Sequence, residues 1–163
     1  MKRARAAIGS AVFFVLAPGV VAGWLPWQLT GWRILDPLPY WAPVRVAGAA
    51  LLVAGTIVLV QAFVRFVLEG LGTPAPVAAP ERLVVGGLYR YVRNPMYLAV
   101  LAAIVGQSLL LGQLGLLLYA AAVGAACVAF VHFYEEPALR AQFGEPYERY
   151  LREVPGWLPR LGR

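Results

Sequence analysis

Charge and cysteine are what this sequence has least of. Only 13% of its 163 residues are charged, against about 25% in an ordinary soluble domain. Hydrophobic residues make up 61% of the chain and mean hydropathy is +0.69, which sets aside a soluble globular class in favour of a membrane protein. The single cysteine, Cys127, excludes an internal disulfide and a multi-cysteine metal site, and in its apolar setting it reads as a small packing residue. His132 is the one histidine, so no histidine pair is on offer to a metal. No internal repeat is visible and the length leaves no room for a second domain, so residues 1–163 are expected to form one integral membrane domain.

What is present in abundance is long uncharged sequence. A span needs about 20 apolar residues to cross a hydrocarbon core of roughly 30 Å. Residues 6–32 and 46–64 carry no charge, and neither do the 41 residues from Asn94 to Tyr134. As one helix that last block would be about 60 Å long, twice what a bilayer needs. Gly112-Gln113, followed by Gly115, supplies a turn within it. The expectation is an all-α, polytopic membrane bundle of four transmembrane helices, at about 6–27, 46–68, 95–112 and 114–134, with a C-terminal amphipathic cytoplasmic segment. The N-terminus also has the basic-then-apolar form of a signal peptide. Its apolar run continues through Val20, Val21, Trp24, Leu25 and Trp27, which favours an uncleaved first span.

Basic residues are lopsided: 12 of the 14 flank one side of that arrangement, and only Arg33 and Arg45 lie between spans one and two. Both termini are therefore expected in the cytoplasm. A basic inner face beside anionic lipid accounts for the net charge of +6 without nucleic acid, for which no module is present. Residues 70–87 hold Pro74, Pro76 and Pro80 and are expected to form a stiffened loop. Beyond Glu136, Leu139, Phe143, Tyr147 and Leu151 recur every four residues among charged ones. That spacing predicts an amphipathic stretch on the membrane face, broken near Gly144 to Pro146.

Two polar clusters bracket the long apolar block. The first runs from Gly87 through Tyr89, Arg90, Arg93, Asn94 and Pro95 to Tyr97; the second is Glu135-Glu136. Asn94-Pro95 suits an ordinary helix start, a cap followed by proline, and a helix start also favours an anion. Carboxylates at the C-terminal end of a span face the unfavourable end of its dipole. Glu135-Glu136 therefore calls for a cationic partner, either Arg90 or Arg93 or a positively charged ligand. His132 is near enough along a helix to contact both acids, as a histidine bonded to Glu or backbone or as a proton-transfer group. Tyr89, Tyr91, Tyr97 and Tyr134 also fit the role of interface aromatics.

The order Gly87-Leu88-Tyr89, Arg93-Asn94-Pro95-Met96-Tyr97, a helical hairpin, Glu135-Glu136, the Phe-Gly-x-x-Tyr-x-x-Tyr run of Phe143 to Tyr150 and Val154-Pro155 resembles the membrane methyltransferases of the isoprenylcysteine carboxyl methyltransferase and phospholipid methyltransferase group. The resemblance covers roughly residues 70–160; spans one and two carry no motif. It implies S-adenosyl-L-methionine at the cytoplasmic ends of the last helices, held by Arg82, Leu83, Val84, Tyr89, Arg93, Asn94, Pro95, Met96, Tyr97 and Glu135. It implies methyl transfer to a lipophilic small molecule or lipid drawn from the bilayer, by carboxyl O-methylation or amine N-methylation. Two positions depart from the family pattern: Asn94 stands where histidine is frequent, and Val131 where the prenylcysteine enzymes place an arginine for the substrate carboxylate. For an amine acceptor, His132 and Glu136 are the candidate bases. Two other readings carry distinct expectations: an NADPH-dependent membrane reductase of related fold, and a non-enzymatic membrane subunit whose clusters dock a protein partner.

Overall fold

The computed structural model describes residue 12, residues 16–70 and residues 82–160. All regular structure among them is helical. A π-helical turn, Val20–Trp24, runs into α1 (Leu25–Thr30), and α2 (Ala42–Gly70) follows. A 3₁₀ turn, Gly87–Arg90, leads to α3 (Pro95–Leu111) and then α4 (Gly115–Phe130). A second π turn, Val131–Glu135, joins α4 to α5 (Glu136–Phe143), and α6 (Glu145–Glu153) closes the set. The opening half of the first expected span and most of the proline-rich loop lie outside the described residues.

Among the described residues, two stretches are long and apolar enough to cross a membrane, Ala42–Arg65 and Gly115–Phe143. The helix between them, Pro95–Leu111, is apolar but has only 17 residues, about 25 Å at 1.5 Å per residue. Four full spans are thus not what the described helices give by length. On α2 the outward side carries Val46, Val53, Ile57, Val60, Val64 and Leu68, all exposed. Such a continuous apolar stripe at helical spacing suits lipid far better than water.

Small residues bring α2 and α3 together. A Cβ on Gly48 would collide with the backbone nitrogen of Leu110, and one on Gly106 would lie 2.6 Å from the nitrogen of Leu52. The two backbones therefore touch, which is how helices associate where lipid offers no hydrophobic driving force. Leu59, Phe63, Ala99, Val100, Ile104, Leu116 and Ala120 form the core below that contact.

The turn expected at Gly112-Gln113 is present. Gly112 adopts a left-handed φ of +69° and donates its N–H to Ser108 O, ending α3. A side chain there would also strike Leu35 O, because the loop after α1 folds over this corner. Leu35 N–H donates to Leu111 O at 2.8 Å, Trp41 Nε1 to Leu109 O at 2.9 Å, and Arg45, paired with Asp36 at 2.6 Å, to Leu110 O.

Both π turns have the same cause. Each is followed at once by a proline, Pro26 or Pro137, and the residue before it reaches back five positions: Leu25 N–H to Val20 O, and Glu136 N–H to Val131 O. Proline has no N–H to give the carbonyl four residues earlier, so the ladder slips by one residue. The freed carbonyls of the first turn are satisfied from other helices: Gln107 Nε2 donates to Ala22 O at 2.6 Å and the Tyr119 hydroxyl to Val21 O at 2.7 Å. In hydrocarbon such carbonyls need a protein donor.

The second π turn overturns the reading of Glu135-Glu136 as the end of a span. The helix does not stop at Tyr134 but continues into α5, so the two acids stand within a helical column. The unfavourable dipole invoked for them is absent there. The amphipathic stretch does break at Gly144, whose φ is +57°. Its apolar stripe, however, faces inward: Tyr147, Tyr150 and Val154 are buried with Leu83, Leu139, Phe143 and Leu151 around them, rather than lying along a lipid surface.

Candidate active site

A cavity of about 650 Å³ lies where α3, α4, α5 and the π turn before α1 converge. That volume falls within the range of roughly 300–1,000 Å³ common for small-molecule sites. Its polar end is built on the loop from Gly87 to Asn94. Gly87 holds a φ of +58° with the Arg65 side chain laid across it, which explains a glycine at the head of the Gly-Leu-Tyr motif. The turn it starts buries Tyr89 beside Ala62 and Val84. Tyr150 from α6 donates its hydroxyl to Tyr89 O at 2.7 Å, tying the loop to the C-terminal helices.

Arg93 and Asn94 follow. Arg93 Nη1 donates to Glu136 Oε1 at 2.7 Å, with both side chains more than four-fifths buried. This is the cationic partner that Glu136 called for; Arg90 is exposed and does not line the cavity. Asn94 is buried, but its side chain does not cap α3. Nδ2 donates instead to Gly156 O at 3.1 Å, while the backbone N–H groups of Arg93 and Asn94 donate to Pro155 O and Gly156 O at 2.9 and 3.3 Å. Arg160 N–H then donates to Tyr91 O at 3.1 Å. The chain beyond α6 is thereby strapped across the loop, and Trp157 comes to rest near the Tyr97 ring, centroids 6.2 Å apart.

Tyr97, one turn into α3, donates its hydroxyl to Glu135 Oε2 at 2.9 Å. The loop before α3 and the acids after α4 therefore meet in space. Leu83, Val84, Tyr89, Pro95 and Met96 line the same cavity, as do Arg93, Asn94, Tyr97, Glu135 and Glu136. Two expected members do not. Arg82 is exposed and outside the lining, and His132 is exposed, packed edge-on against Phe133 and also outside it. The π turn rotates His132 to the outer side of the column while carrying Val131 and Glu135 inward. Tyr147 also lines the polar end, and its phenol is pushed up to about 12 by burial, then by Glu136, with Arg93 opposing.

The phospholipid methyltransferase family model matches residues 44–146, well over half of the sequence. The chain belongs to the phospholipid methyltransferase family. No curated protein matches it significantly. The family match takes in α2, the Gly87 loop, α3, α4 and both acids, and leaves out the π turn before α1, the last two tyrosines and the tail.

Several residues that shape this cavity went unassigned in the sequence. Tyr147 and Tyr150 sit in the Phe143 to Tyr150 run, so the motif was visible but not its direction. Tyr119, Val21 and Pro18 also line the cavity and carry no motif; the one signal for them was Pro26, which forces the π turn. The hold of the tail on Asn94 runs from its side-chain amide to a backbone carbonyl 62 positions away, and residue spacing gives no sign of it.

Proposed function

We propose that the protein transfers a methyl group from S-adenosyl-L-methionine to a lipophilic or lipid acceptor at the cytoplasmic membrane face. The observation that carries this reading is the contact of Tyr97 with Glu135 at the polar end of a cavity whose remainder is apolar, inside a phospholipid methyltransferase family chain. The cofactor bears a sulfonium, an ammonium and a carboxylate. The residues present suit it: Glu135 for positive charge, the start of α3 for negative charge, and Leu83, Val84, Tyr89 and Met96 for its flat apolar part. When bound, it supplies a methyl group on a cationic sulfur that leaves as a neutral thioether.

The chain's own contribution is then alignment and dryness. Tyr97 fixes the Glu135 carboxylate, and the Arg93–Glu136 pair fixes the loop relative to α5. Direct displacement needs the acceptor, methyl and sulfur in line, and holding that geometry supplies most of the rate. No covalent intermediate on the protein is required. Glu136 is engaged with Arg93, and accepting a proton would strand that arginine's charge, so we assign it to positioning rather than to base catalysis. His132, outside the lining, is likewise left without a catalytic role.

The test is binding of radiolabelled S-adenosylhomocysteine to the detergent-solubilised protein. Glu135→Ala is expected to abolish binding; undiminished binding in that variant would count against the site. Stabilisation by NADPH but not by S-adenosylhomocysteine in a thermal assay would replace the methyltransferase reading with a reductase.

A further inference from the structure

The π turn before α1 is held in place with unusual care. Val21 O and Ala22 O, the two carbonyls that the slip exposes, are taken up by the Tyr119 hydroxyl of α4 and the buried Gln107 amide of α3. Val21 and Tyr119 both line the cavity, together with Pro18, Leu25 and Val123. Among the described residues that line this end none is charged, and the Tyr119 hydroxyl is already donating to Val21 O. It is continuous with the polar end, where Glu135 stands about three turns beyond Val123 on the same helical column. An uncharged compartment whose tyrosine hydroxyl is already engaged accepts hydrocarbon and penalises any headgroup left there unpaired.

Resting on the methyltransferase reading, we propose that the π turn propped by Tyr119 and Gln107 forms the wall of an acceptor compartment, that the hydrocarbon chain of the methyl acceptor lies against Val21, and that Val21 and Tyr119 set which acceptors are taken. The shared family region begins at residue 44, after this wall. The props Gln107 and Tyr119 lie within that region, and the turn that they hold lies before it. Tyr119 is a positioning residue here, acting through Val21, since its hydroxyl is occupied by the turn.

Two binding measurements on the full chain in nanodiscs separate this proposal from the reading beneath it. Saturable fluorescence of N-dodecyl dansylamide, a neutral alkyl probe, reports the compartment; radiolabelled S-adenosylhomocysteine reports the polar end. Val21→Trp overfills the compartment and is expected to weaken the alkyl probe by at least about tenfold while leaving S-adenosylhomocysteine within about twofold. Tyr119→Phe removes the prop without changing volume, and is expected to weaken the probe severalfold with the nucleotide again unaffected. Val21→Ala keeps the fold under little strain and is expected to retain the probe. Absence of saturable probe binding by the unsubstituted protein, or full retention of it in Val21→Trp, overturns the proposal. Failure of the unsubstituted protein to bind S-adenosylhomocysteine, with the probe response to Val21→Trp intact, overturns the methyltransferase reading and leaves the compartment standing.

Discussion

Asn94 shows how a single side chain can stand in the expected place and do something else. As the residue before Pro95 it has the sequence of a helix cap, yet its amide reaches the tail at Gly156 instead. Asn94→Ala is expected to cost about 1 kcal/mol, the net value of such a hydrogen bond, and to loosen the strap, lowering S-adenosylhomocysteine affinity severalfold in equilibrium binding. Asn94→Asp, which loses the donor and adds a charge beside Glu136, should be worse on both counts. Arg93 and Glu136 form a pair intermediate between exposed and fully buried. Arg93→Ala should therefore destabilise by about 2 kcal/mol, read as a lowered midpoint in thermal denaturation, and the charge-free double variant with Glu136→Gln should recover part of the loss.

At the scale of elements, the contact of α2 with α3 rests on the absence of side chains at Gly48 and Gly106. Gly106→Leu should force the helices apart at a cost of about 1–3 kcal/mol or more, seen as loss of the folded, monodisperse species in detergent. Alkali provides a different probe of α6. Tyr147 stays protonated in the folded protein up to about 12, whereas a free tyrosine ionises near 10. The sign follows: below about pH 10 the group is neutral in both states, and above it the unfolded chain gains stability by ionising, so the fold weakens as pH rises from about 10 to 12. Tyr147→Phe is expected to flatten that decline, measured as the pH dependence of the thermal midpoint.

These elements also show where sequence reasoning reached and where it stopped. The apolar blocks, the Gly112 corner and the Gly144 break were legible because each depends on local composition or on a backbone conformation that glycine alone takes easily. The meeting of Tyr97 with Glu135 was legible only through the resemblance, since nothing in the spacing says which sides of α3 and α4 face each other. His132 was misplaced because an α-helical count puts it on the face of the acids, while the π turn forced by Pro137 inserts one extra residue. The overlooked signal was Pro137, directly after the pair of acids. The inward orientation of the amphipathic stretch was hidden for another reason: an apolar stripe does not reveal whether protein or lipid covers it.

For the whole molecule, the arrangement divides into two ends. The loop carrying Arg33 is tied to the Gly112 corner through Gln113 Nε2 donating to Arg33 O at 2.8 Å, and the cavity's charged residues gather at the other end. We expect that second end to face the cytoplasm, as the basic residues suggest. In a Cys127→Ser background, a cysteine at Arg33 should react with a membrane-impermeant maleimide added to intact cells, and one at Arg160 only after permeabilisation; the reverse pattern would invert the topology.

The strap over Asn94 brings an ordering in time. Residues 155–160 are tied to a loop that the ribosome made some sixty positions earlier, so the helices can enter the bilayer well before that loop has its strap. A nascent chain paused short of Pro155 would hold its helices in the bilayer with the backbone N–H groups of Arg93 and Asn94 still waiting for their acceptors.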